Sequence, residues 1–267
     1  MTEKLLGLLL VTDLLPFWQA RQGNARSTLT HAIHWAAIAW LGWLMTVALS
    51  IFGNENWERA AGYLSLCLTG GAGVAVLGAR RPGAAAWNFV VLGLLAVETL
   101  PLLEGLDQLR SSPLRVALLS GTLAVALLNY VPTRLGWTAL WGGLCIVPDL
   151  LLAVGPAEWS SDLIVPARCA RGALTLVPWL ARVSMKRRGV SSDLDTSWLA
   201  FRDPFGFFWA QRLREQFNRA ASNAGWDVRL TWSGMRTTTG KHPADTTLET
   251  NAMATLQSLL RRFGTMN

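Results

Sequence analysis

The chain has 267 residues, is 51% hydrophobic, and carries a charged side chain at only 15% of positions. A soluble domain of this length carries about 25% charge, so an ordinary water-soluble globule is excluded. The apolar residues instead gather into runs of about 20, the length that crosses a hydrocarbon core of about 30 Å. A net charge of +7 would suit a nucleic-acid partner, but +5 of it lies from Ser184 onward, beyond the last apolar run. The positive-inside rule accounts for that excess, and nucleic acid is not among the expected partners.

Residues 1–28 open the chain with an apolar stretch, Leu5 to Trp18, that is short and interrupted by Asp13 and Pro16. Arg21 and Arg26 follow it. A barely basic start and the lack of a small-x-small cleavage site argue against a signal peptide. A helix lying in the membrane interface is the expectation, with an inserted segment as the alternative.

Six spans are predicted over residues 29–183: Leu29–Phe52, Arg59–Gly78, Gly83–Leu103, Leu114–Val131, Leu135–Val154 and Leu163–Val183. Basic residues (Lys4, Arg21, Arg26; Arg80, Arg81; Arg134; Lys186, Arg187, Arg188) alternate with acidic connections (Glu55, Glu58; Glu104, Asp107; Glu158, Asp162). This alternation predicts a multi-pass protein of a bacterial-type inner membrane with both termini in the cytoplasm. Fourteen tryptophans suit two membrane–water interfaces; Trp57 and Trp159 fall at outer boundaries, and Trp87, Trp137 and Trp179 at inner ones. In the second span Gly71, Ala75 and Ala79 recur every fourth residue, with Gly70 and Gly73 beside them. Such a ridge lets helices approach closely, inside the bundle or at a dimer face. Cys67, Cys145 and Cys169 lie in apolar segments without CxxC or Cys/His spacing and read as small buried residues.

Residues 184–267 form a basic, amphipathic tail of α(+β) character. Ser191-Ser192-Asp193 reads as a linker, and Asp203-Pro204 as a helix start. Phe205, Phe208, Trp209, Leu213 and Phe217 follow at helical spacing, with Arg212 and its polar neighbours beside them. Such a stripe suits a helix lying on the anionic lipid of the cytoplasmic leaflet. Packing against the span ends, or against a membrane-protein partner, would use the same pattern. Trp226 to Trp232 alternates like a strand, and Thr246 to Phe263 reads as a second helix.

Ionisable groups inside spans are costly and point to pairing or function. Glu98, Asp149, Arg168 and Arg171 are predicted at one depth in the outer third of the bilayer, with the two arginines three residues apart on one helix face. They form either a polar pocket for a ligand or an ion-pair clamp. A second polar set, His31, His34, Asn88 and Asn129, lies toward the inner end. Two histidines on one helix are too few for a closed metal site, and the asparagines suit hydrogen bonds between helices. HExxH, GxSxG, GxxxxGK[ST] and GxGxxG are all missing from the sequence, so no catalytic, metal or cofactor residue is assigned. The expectation is an all-α six-span bundle acting as a non-enzymatic scaffold or as a membrane subunit of a larger assembly. A small transporter or ligand-binding protein using the outer charged layer comes second, and a membrane enzyme acting on lipid or isoprenoid third.

Overall fold

The computed structural model describes residues 12–80, 83, 85–110, 112–185, 192–237 and 246–264. Among them, six helical segments are long and apolar enough to cross a membrane: Thr30–Phe52, Glu55–Leu77, Trp87–Glu104, Pro113–Tyr130, Gly136–Val154 and Ala157–Met185. Each coincides with an apolar run of the sequence. The one boundary shift with consequences is at the second span. It begins at Glu55, where the Asn54 side chain accepts the Trp57 amide at 3.0 Å and Glu55 and Glu58 occupy the first turn. A cap followed by acids near the helix N-terminus is locally stable, and it draws Glu58 into the span rather than the connection.

Hydrogen bonds between span ends show that successive spans run in alternate directions. At one end Thr28, just before the first span, donates to the carbonyl of Ala79, just after the second, at 2.8 Å. Thr138 of the fifth span and Ser184 of the sixth meet there at 3.3 Å. At the opposite end Arg110, before the fourth span, donates to the Leu152 carbonyl near the end of the fifth at 2.8 Å, and Arg115 pairs with Glu104.

The second span is the most buried of the six. Its small residues face other spans of the bundle: Gly71 lies against Leu95 and Val91 of the third, and Gly73 against the backbone of Ala126 in the fourth. A methyl on Gly73 would overlap Ala126, so this ridge is used for packing within the chain. Two spans are interrupted. The third breaks at Thr99, before Pro101. The sixth breaks after Leu174, before Pro178. In both, proline lacks the amide that would continue the ladder. Cys67 and Cys145 are buried thiols, whereas Cys169 is exposed on the sixth span, so its expected burial does not hold.

Residues 1–11 of the N-terminal segment lie outside the description. A helix spans Leu14–Gly23, and its Phe17 ring sits 6.0 Å from that of Trp40 in the first span. The Asp13 carboxylate accepts the Trp179 indole N–H of the sixth span at 2.8 Å. Both partners are set back from the span ends. The segment therefore packs against the sides of the first and sixth spans.

The tail folds onto the end of the bundle that holds Thr28 and Ala79. Its long helix runs Asp193–Asn223 and starts a full ten residues before the predicted Asp203-Pro204. Ser192 is the cap, accepting the Asp195 amide at 3.2 Å. Asp203 instead bonds Arg202 and the backbone amide of Arg134. The helix breaks at Gly206, whose φ of 76° and ψ of −173° belong to a region nearly closed to other residues. Strands β1 (Val228–Thr231) and β2 (Gly234–Thr237) form an antiparallel hairpin turned at Trp232-Ser233, where the sequence suggested a single strand. A helix over Thr246–Leu260 and a short turn through Phe263 close the tail.

Candidate functional site

The end of the bundle far from the tail holds a cluster of four charges, three of them buried. Glu58 comes from the second span, Asp149 from the fifth, and Arg168 and Arg171 from the sixth. Arg171 Nε lies 3.1 and 3.0 Å from the two Asp149 oxygens, and its Nη1 lies 2.5 Å from Glu58 Oε1. Arg168 Nε donates to Glu58 Oε1 at 3.0 Å, and its Nη2 to Oε2 at 2.5 Å. Spacing of three puts both arginines on one face, and helical side chains lean toward their own N-terminus. On the sixth span that direction points back to the end where Glu58 sits. Gly62, one turn beyond Glu58, leaves the space: a Cβ there would be 2.9 Å from Asp149 Oδ1 and 3.4 Å from Arg171 Nη2.

Exposure divides the cluster. The Arg171 and Glu58 side chains are each 1% exposed and Asp149 3%, but Arg168 is 44% exposed. Buried pairs are costly to break on one side, whereas exposed ones contribute little. Arg168→Gln is therefore expected to cost on the order of 1 kcal/mol or less, measured as a shift of the unfolding midpoint in detergent.

Glu98 does not join this cluster. It is buried, at 4% exposure, but faces the second and fourth spans. Thr122 Oγ1 donates to its Oε1 at 2.9 Å, while Oε2 has no hydrogen-bond partner. Its main-chain carbonyl is free because the break at Thr99 sends the Leu102 amide to the Thr99 carbonyl at 3.0 Å. Tyr63 Oη and Cys67 Sγ donate to that carbonyl instead. Charge spacing along a helix fixes depth and leaves open which neighbour the residue faces; Glu58, placed by sequence in a connection, takes the position expected of Glu98.

The second polar set is likewise divided. Asn88 links the third span to the first, accepting the Trp35 indole N–H at 3.1 Å and lying 3.2 Å from His31 Nδ1. His34, three residues on, is exposed. Asn129 is buried at the end of the fourth span, and its Oδ1 accepts the Phe208 amide of the tail at 3.2 Å. Three of the four residues thus make two separate contacts, one between spans and one between span and tail.

The aromatic stripe of the tail faces inward where a bilayer-facing surface was expected. Phe205, Leu213 and Phe217 are buried in the tail core. The Phe205 and Phe263 rings lie 5.1 Å apart and those of Trp209 and Phe263 5.3 Å. Trp209 Nε1 donates to the Val76 carbonyl in the last turn of the second span at 3.1 Å. Only Phe208 and Arg212 of the six named residues are exposed. The hairpin and the closing helix supply the cover, which the sequence of one amphipathic helix does not reveal.

No family model matches the chain, and neither curated proteins nor solved structures give a match. All four oxygens of Glu58 and Asp149 accept an N–H from Arg168 or Arg171. Two acids and two arginines also balance in charge.

Proposed function

We propose that this integral membrane protein is a non-enzymatic scaffold, or the membrane subunit of a larger assembly, in a bacterial-type inner membrane. Both termini lie in the cytoplasm, and the docked tail is the surface it offers there. The observation that supports this reading is the saturation of the charged cluster. A site that binds substrate keeps polar groups unspent, but here each carboxylate oxygen already accepts a guanidinium N–H. Arg171 joins acids from two other spans at 1% exposure, the arrangement of a clamp that fixes helix registry.

One observation favours a second reading, a small transporter. Glu98 Oε2 is buried without a donor, and a buried carboxyl in a span is a natural proton carrier. The test replaces the resident chain in its own cells with the Asp149→Asn, Arg171→Gln double variant. A scaffold predicts native-gel complexes of unchanged size. Loss of the complexes while the purified variant keeps its fold would tell against the clamp and make the charged layer itself functional.

A further inference from the structure

The joint between tail and bundle gathers three arginines in one cleft. Arg80, three residues past the second span, Arg212 of the long tail helix and Arg262 after the closing helix line one narrow cleft with Trp209, Gln216 and Phe263. Among the described residues, lysine, aspartate and glutamate are missing from its lining. The Arg80 guanidinium lies over the Trp209 ring at 5.9 Å from its centre, a cation–π contact that fixes its position without using its N–H donors. Glu215, the acid on the adjoining stretch of helix, accepts from Gln211 at 2.5 Å. Three arginines thus share one cleft, with no carboxylate among its described lining residues.

Depth decides what they meet. Trp209 bonds the Val76 carbonyl, and the second span ends at Leu77. The cleft therefore lies at the level of the span end, the depth at which a bilayer crossed by that span would carry its phosphates. Phe208, 44% exposed, lines the neighbouring groove together with Arg212, placing an apolar ring beside the cationic one. Planar guanidiniums bind phosphate oxygens in pairs, and basic pockets beside span ends suit anionic headgroups.

We propose that Arg80, Arg212 and Arg262 form a binding site for the phosphate headgroup of an anionic phospholipid in the leaflet on the tail side. This rests on the reading of the chain as a membrane protein. The lipid holds the tail on the bundle by bridging the second span, the long tail helix and the closing helix.

The test uses the full-length protein in nanodiscs of phosphatidylcholine, alone or mixed with phosphatidylglycerol, with co-purifying lipid read by native mass spectrometry. Failure to enter nanodiscs would defeat the membrane reading itself. Wild type in mixed discs is expected to retain phosphatidylglycerol preferentially. Arg212→Gln, on the exposed face, should lower that preference about fivefold, and the triple R80Q, R212Q, R262Q variant should abolish it. The melting of each variant in phosphatidylcholine alone should match wild type; if the triple variant does not fold, the single substitution decides. An unchanged preference in Arg212→Gln and the triple variant overturns the proposal. Displacement of the lipid by inorganic phosphate also overturns it, since the site would then be one for the free anion.

Discussion

Arg171→Gln is expected to remove about 3–5 kcal/mol of stability, the scale of leaving a buried charge without its partner. Asp149, 3% exposed, has no other cation in the cluster and would be left ionised against apolar walls, or forced to take up a proton. Glu58 would keep Arg168. The loss should therefore far exceed that of Arg168→Gln, although the two arginines differ by one helical turn and sit on the same face. Unfolding by a denaturing detergent titrated into mild micelles measures both. Near-equal effects would mean that burial does not set the energetics of this layer.

Gly206→Ala should release the tail. The backbone at φ 76° and ψ −173° costs a residue with a Cβ about 1–3 kcal/mol. The new methyl would also overlap the Asn129 carboxamide, which now accepts the Phe208 amide. Strain and overlap act on the same contact, so the helix break can no longer seat against the fourth span. Limited proteolysis should then cut the variant tail much faster than wild type while the spans stay protected. Adding Asn129→Ala removes the overlap and leaves the strain, so part of the protection should return. A Gly206→Ala tail as resistant as wild type would show that the docking does not depend on this break.

The six spans were legible because apolar length is read directly from sequence, and the loop charges predicted the alternation that the end-to-end hydrogen bonds display. What escaped was set by neighbours. Glu58 lay outside the predicted span because hydropathy weighs charge and ignores a cap, although Asn54 followed by two acids marks a helix start. Glu98 was placed at a depth, but its direction depends on the break before Pro101 and on the room that Gly70 leaves beside Thr122. Ser192-x-x-Asp195 carries a capping signal hidden in a linker-like run of serines, while Asp203-Pro204 has the pattern of a start yet serves an ion pair to Arg134. β2 was missed because a strand of four residues beginning with glycine has almost no local preference, and only its pairing with β1 forms it.

The most direct measurement of the clamp is a double-mutant cycle on Asp149 and Arg171 in mild detergent. Asp149→Asn and Arg171→Gln should each destabilise the protein. The double variant, which buries no unpaired charge and leaves Glu58 with Arg168, should be more stable than Arg171→Gln alone. Additive losses would contradict a coupled pair. Single substitutions that leave stability unchanged, or raise it, would contradict the clamp altogether and mark the charges as kept at a cost to folding.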